Sequence, residues 1–223
     1  MISWMHVIEI GHTAVMLPVA GAIAVWLVLG RAWKLALWWC LVMAAGLGVV
    51  ALSKLAYLGW GVEVRSIAFQ ALSGHAWRAT AVLPVLIFLV LQKAPAGLRR
   101  GGVLLGLASS MGIGALLVIF RFHTVSEVLA STMLGIAAMT AFIRMASVLP
   151  APRTGPWTIP AALIAFTIVC LLKPSSLNHR LVDVALYFSG RDTPYRWSRP
   201  GEARFPDGEE KHWKKTCQVH MPD

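Results

Sequence analysis

Two histidines, each close to residues that could orient it, are the side chains in this sequence best suited to chemistry. His123 and Glu127 are four residues apart, a spacing that places both on one face of a helix. A carboxylate there can accept a hydrogen bond from one imidazole nitrogen and leave the other nitrogen free and more basic. That is the geometry of an oriented nucleophile or base. The simpler alternative for such a pair is an ion pair on a helix surface.

The second histidine, His75, follows Ser73 and Gly74 directly before an apolar stretch. Serine is a good N-cap residue, and glycine lets another group approach the backbone closely. The free amides and the dipole at the start of a helix favour an anion. The sequence Ser-Gly-His alone is equally compatible with an ordinary capped loop.

The composition predicts that these residues belong to an integral membrane protein. Hydrophobic residues make up 57% of the 223 residues and charged residues only 13%, whereas soluble domains carry roughly 25% charged residues. Backbone amides in hydrocarbon must pair internally, so we expect an all-α polytopic protein with a six-helix transmembrane bundle. The expected spans lie at about 13–30, 35–57, 76–92, 101–120, 124–143 and 157–172.

This assignment divides the chain into a transmembrane domain at 1–172 and a polar C-terminal tail at 173–223. Within the tail, residues 182–188 could form a short helix or strand, and the remainder from Gly190 is expected to be extended or poorly ordered. The net charge of +10 is interpreted as topology and contact with anionic lipids. No nucleic-acid partner is expected, since no Arg-rich helix or basic-aromatic module accompanies this charge.

Strict alternation of six spans brings the ionisable residues near the histidines to one membrane face. A lone basic residue at the end of a span can simply extend its charge to the headgroups. That explanation does not cover two histidines and a glutamate at the same level, and ionisable residues in or beside a span point to function. The basic members of this group are Lys54, Arg65, Arg78 and Arg121.

The segments around the two histidines carry a recognisable pattern. Residues 71–76 read Ala-Leu-Ser-Gly-His-Ala, and residues 122–130 read Phe-His-Thr-Val-Ser-Glu-Val-Leu-Ala. They resemble the second and third motifs of the type 2 phosphatidic acid phosphatase superfamily, Pro-Ser-Gly-His and Ser-Arg-x5-His-x3-Asp. Lys54 is similar to the lysine that opens the family's first motif, Lys-x6-Arg-Pro. The resemblance covers about residues 8–145.

The resemblance implies a membrane-embedded lipid phosphate or diphosphate phosphatase without cofactor or metal. His123 would attack phosphorus to form a phosphohistidine, Glu127 would hold its tautomer, and His75 would protonate the leaving group. The implied phosphate ligands are Lys54, Arg65, Ser73, Gly74, Arg121 and, from outside the family motifs, Arg78. Lipids whose tails stay in the bilayer fit such a site: polyprenyl diphosphate, phosphatidate or phosphatidylglycerol phosphate.

The sequence departs from the family motifs at the arginines. Gly61 occupies the arginine position of the first motif, and Leu117 occupies that of the third. Arg121 stands two residues before His123, so its side chain is predicted to bind the phosphoryl oxygens instead. The alternative for Arg121 is an arginine that extends to the headgroups at a helix C-terminus, where the macrodipole also favours it.

Two other classes of function stay open from the sequence. A catalytically degenerate family member could bind lipid phosphate or act as a scaffold in an envelope-assembly complex. A small transporter is disfavoured because the polar residues gather at one face, whereas a transport path places some of them near mid-bilayer.

The distribution of basic residues predicts an orientation in a bacterial inner membrane. The connections opposite the candidate site hold seven Lys and Arg, against four at the site's own face. Because positive loops stay in the cytoplasm, the site is expected on the periplasmic side. Reporter fusions at Gly61 and Gly97 should therefore give signals from opposite compartments. Signals from the same compartment would contradict this topology.

Overall fold

Every regular element in the described part of the chain is helical. The computed structural model describes residues 13–153, 155, 158–171, 177–191 and 193–195. Apart from an isolated bridge between Val64 and Phe69, these residues contain no β-structure. The helices are α1 Thr13–Leu29, α2 Trp33–Trp60, α3 Gly74–Val90, α4 Ala96–Ile119, α5 Val125–Val148, α6 Thr158–Leu171 and α7 Leu177–Ser189, with one 3-10 turn at Arg65–Ile67. The all-α class expected from the sequence is confirmed.

Each of the six apolar stretches coincides with a helix, with shifts of several residues at some ends. The largest differences are that α4 begins at Ala96 rather than 101 and that α5 continues to Val148 rather than 143. Three helices, α2, α4 and α5, are long and apolar enough to cross a membrane. Residues 182–188 of the expected tail lie within α7, so the chain adopts the helical alternative there. Most of the tail predicted to be extended lies outside the described residues.

The outward faces of the long helices are apolar rather than charged. Leu52 on α2, Leu104 on α4 and Met133 on α5 are all more than half exposed. A helix that is apolar on its outer face as well as its inner face is typical of a membrane protein. The exposed faces therefore agree with the low charge content of the sequence.

Helix α3 lies at the centre and packs against α1, α2, α4 and α5. It is buried along most of its length because three neighbours present glycines to it. A β-carbon on Gly46 of α2 would overlap the Trp77 indole. A β-carbon on Gly106 of α4 would lie 2.9 Å from Pro84 Cα, and one on Gly135 of α5 would lie 2.6 Å from Thr80 Cβ. Small residues at these positions let the helix backbones approach closely.

The remaining helices surround this centre. The Trp39 indole on α2 donates a hydrogen bond to the Ala20 carbonyl of α1 at 2.9 Å and packs edge-on against Phe142 of α5. Helix α6 packs on α1, and α7 packs on α2. The chain beyond α7 returns to the end of α2, where the Tyr195 amide donates to the Leu58 carbonyl.

Close packing around α3 predicts that Gly135→Ala is destabilising. The added methyl group would force α5 away from α3, and overpacking of this kind costs about 1–3 kcal/mol. Gly112→Ala is the matched control, since a β-carbon there would meet no other atom within 4 Å and alanine favours a helix. Thermal unfolding in detergent should show a lower Tm for Gly135→Ala and an unchanged or higher Tm for Gly112→Ala. Equal Tm values for the two variants would contradict this account of α3 packing.

Candidate functional site

The contact between His123 and Glu127 forms at the start of α5. His123 Nδ1 lies 2.8 Å from Glu127 Oε2. An ionised carboxylate can only accept, so Nδ1 donates and Nε2 keeps its lone pair in the neutral ring. The contact expected from the sequence is present, but a shared helix face is not its cause. Helix α5 begins at Val125, so His123 precedes the helix and its N-cap, Thr124.

Glu127 holds its position because it belongs to a capping box. The Thr124 side chain accepts from the Glu127 amide, and Glu127 Oε2 accepts from the Thr124 amide at 3.1 Å. This reciprocal pairing satisfies two amides at the helix start and fixes the carboxylate beside the preceding residue. The side chain of Glu127 is only 1% exposed. The histidine is therefore held by a carboxylate that is itself immobilised by the helix.

The second oxygen of the same carboxylate reaches the loop before α3. Glu127 Oε1 accepts from the backbone amides of Gln70 at 3.0 Å and Ala71 at 3.4 Å. With Thr124 and His123, four N–H groups converge on one carboxylate. Hydrogen bonds to an ionised group are stronger than those between neutral groups. Glu127 therefore links the two histidine-bearing segments.

Two further serines fix the residues directly before His75. The Ser73 amide donates to Ser131 Oγ at 2.7 Å, and Ser131 Oγ donates to the Glu127 carbonyl at 2.6 Å. The Leu72 amide donates to Ser53 Oγ on α2 at 3.1 Å. Ser73 in turn caps α3 by accepting from the Ala76 amide at 3.4 Å. The Ser-Gly-His segment is thus held from both α2 and α5.

The neighbours of the two histidines share one small apolar cluster. Ala76, next to His75, packs with Leu117 and Val128, and Phe122, next to His123, packs against the same cluster. The start of α3 and the junction between α4 and α5 are therefore adjacent. The side chains of both histidines are partly exposed at this end of the bundle.

Lys54 and Arg78 lie inside the bundle near this site. Arg78, one turn into α3, is 7% exposed, and Lys54 near the end of α2 is partly buried. Lys54 lies within electrostatic range of both Arg78 and Glu127. The Arg78 guanidinium rests against Gly74, where a β-carbon would lie 2.9 Å from Nη1. Three predicted phosphate ligands, Lys54, Gly74 and Arg78, therefore lie near one another and near Glu127.

The other two predicted arginines lie at the surface. Arg65 Nε donates to Glu63 Oε1 at 2.7 Å, and the Arg65 side chain is 75% exposed. Arg121 is exposed at the junction after α4, with a left-handed φ of 59°. Leu117 is buried in the cluster beside Ala76. The prediction that Arg121 binds a phosphoryl group remains a prediction.

Sequence reasoning missed the residues that hold the loop before α3. Ser131 lies four residues after Glu127, so the helical spacing could have placed it on the same face of α5. Ser53 directly precedes Lys54, which gives no comparable signal. Ser126 Oγ donates to the Ile67 carbonyl at 2.8 Å and fixes the same loop further from the histidines.

Comparison with known proteins gives one reference point. A Klebsiella pneumoniae protein, described as an uncharacterized 22.5 kDa protein in cps region, is 29% identical to this chain over 153 residues. The aligned segment is 68% of this chain and 73% of that protein. No family model and no solved structure matches the chain. The chain is therefore similar, over about two thirds of its length, to a bacterial protein.

The four donors on Glu127 predict that Glu127→Gln releases the loop before α3. An amide replaces one acceptor oxygen with a donor NH₂ group, which would face N–H groups and leave buried amides unsatisfied. Such a loss costs about 1–3 kcal/mol, so amide exchange across residues 69–73 should accelerate roughly 10- to 100-fold. Hydrogen–deuterium exchange with mass spectrometry measures this rate.

His123→Ala is the matched control for that experiment. It removes one of the four donors and leaves the Gln70 and Ala71 amides bonded to Glu127, so exchange in the loop should stay close to that of the wild type. The same exchange rate in Glu127→Gln as in the wild type would show that the carboxylate does not hold the loop.

Proposed function

We propose that this chain is a membrane-embedded lipid phosphate or diphosphate phosphatase acting through a phosphohistidine. The observation that carries the proposal is the 2.8 Å contact between His123 Nδ1 and the buried Glu127 carboxylate. It directs the lone pair of Nε2 away from the carboxylate, as a histidine nucleophile requires. His75 lies in the first turn of the neighbouring helix α3, and two basic side chains, Lys54 and Arg78, lie close by.

The proposed reaction uses the two histidines in turn. Neutral His123 Nε2 attacks phosphorus, so an N–P bond forms as the O–P bond to the leaving group breaks. Protonated His75 gives its proton to the departing oxygen, which leaves as an alcohol or a phosphate. Neutral His75 then takes a proton from water as the water oxygen attacks phosphorus. The N–P bond breaks, inorganic phosphate is released and His123 returns to its neutral state.

The proposed setting is a six-helix bundle in a bacterial inner membrane, with the site at the periplasmic face. The apolar outer faces of α2, α4 and α5 support a location in a membrane. The bacterial relative, described as lying in a cps region, supports a protein of the bacterial envelope. The excess of Lys and Arg in the connections at the opposite end supports the orientation.

A site at the end of the bundle suits a lipid whose tails remain in the bilayer. The histidines lie where the apolar helices end, so a phosphate at the headgroup level would reach them without moving its chains out of hydrocarbon. Polyprenyl diphosphate, phosphatidate and phosphatidylglycerol phosphate share this arrangement. The catalytic residues in this proposal are His123 and His75, with Glu127 as the residue that positions His123.

The proposal predicts metal-independent phosphate release that depends on both histidines. Protein purified in detergent should release phosphate from a lipid phosphate with EDTA present. His123→Ala should lose at least about 10³-fold in turnover, because a covalent nucleophile has no substitute. His75→Ala should lose about 10²- to 10⁴-fold, the usual range for general acid–base help.

His179→Ala is the control, since this histidine belongs to α7, which packs mainly on α2. Its turnover should match the wild type. Activity that survives His123→Ala would refute the phosphohistidine mechanism. Lipid phosphate binding without any turnover would favour the non-enzymatic alternative, a protein that binds lipid phosphate or scaffolds an envelope-assembly complex.

A further inference from the structure

We propose that Arg78 supplies the guanidinium that binds the phosphate in this site. The inference rests on the proposed function, because it names the residue that binds the phosphate at the same site. Arg78 lies on α3, whereas the sequence analysis predicted that Arg121, at the junction after α4, binds the phosphate.

Arg78 is buried with its Nε unpaired among the described residues. Its side chain is 7% exposed. Arg65 pairs with Glu63 and His123 pairs with Glu127, and neither pair involves Arg78. Buried charges are normally paired, because desolvation without compensation is strongly unfavourable. An anion bound beside Arg78 would supply the compensation.

The guanidinium is directed at the first turn of α3. It approaches Gly74 so closely that a β-carbon there would lie 2.9 Å from Nη1 and 3.5 Å from Nη2. The amide of Gly74 takes part in no hydrogen bond within the described segments. The side chain of the N-cap residue, Ser73, accepts from the Ala76 amide instead. A helix start with a free amide favours an anion. The amide and the guanidinium therefore both lie at the start of α3.

Lys54 adds a second positive charge at the same place. It lies within electrostatic range of Arg78 and of Glu127. Two like charges held together inside a helix bundle repel each other. A multiply charged anion between them would turn this repulsion into attraction.

The sequence spacing links Arg78 to the chemistry. Arg78 follows His75 by three residues on α3, so the two share a face of the helix. A phosphate bound by Arg78 would lie beside the histidine that protonates its leaving group. Arg65 is paired with Glu63 at the surface, and Arg121 is exposed. Of the three candidate arginines, Arg78 is the one enclosed with Lys54 and Glu127.

A guanidinium can bind two phosphoryl oxygens in parallel. Inorganic phosphate is the simplest probe of such a site.

Phosphate binding by the full chain in detergent tests the assignment separately from catalysis. Isothermal titration with inorganic phosphate compares the wild type with Arg78→Lys, Gly74→Ala and the surface control Arg144→Lys. Arg78→Lys should weaken binding by about 10-fold or more, since a point charge cannot reproduce two parallel hydrogen bonds. Gly74→Ala should weaken binding comparably by displacing Nη1. The double variant should be little weaker than either single variant, because both changes remove the same contact.

The outcomes separate this inference from the proposed function. Phosphate binding that depends on Arg78 and Gly74, without hydrolysis of any lipid phosphate, supports the anion site and rejects the phosphatase. Binding that is unchanged in both Arg78→Lys and Gly74→Ala overturns the inference even when the protein hydrolyses lipid phosphate. Loss of binding in Arg121→Lys alone would assign the phosphate to Arg121 instead. A Tm measurement for each variant shows that weakened binding does not come from unfolding.

Discussion

The arrangement of the site depends on one carboxylate. Glu127 accepts from His123 and Thr124 through one oxygen and from Gln70 and Ala71 through the other. These donors come from two segments more than fifty residues apart in sequence, and each contains or directly precedes a candidate site histidine. Glu127 is thus the N3 residue of a capping box and the partner of His123 at the same time.

The sequence predicted the helices well because hydropathy alone determines where an apolar chain must pair its own amides. It also predicted the His123–Glu127 contact, although a helix N-terminus rather than a helix face produces it. The bonds from Glu127 to Gln70 and Ala71 could not be predicted, because a backbone amide has no side-chain signature. Ser131 was within reach of sequence reasoning, since it lies one turn beyond Glu127 on α5.

The four basic side chains near the histidines could not be ranked from the sequence. Their burial depends on which helix occupies the centre, and that depends on glycines in other helices. Gly46, Gly106 and Gly135 bring three helices close to α3 and so enclose Arg78. Arg121 and Arg65 fall outside that enclosure. Spacing within a motif indicates which residues are neighbours along the chain, whereas tertiary packing determines which charged side chains are buried.

The position of α6 and α7 at the edge of the bundle gives the molecule unequal local stability. Helix α6 rests mainly on α1, and α7 rests on α2, while α3 contacts four helices. Local opening requires only the contacts of the opening segment to be broken, so the free energy of opening is lower at the edge than at the centre. Opening of α6 or α7 would therefore leave the contacts among α2, α3 and α5 in place. The geometry around Glu127 would not depend on whether these two helices are docked.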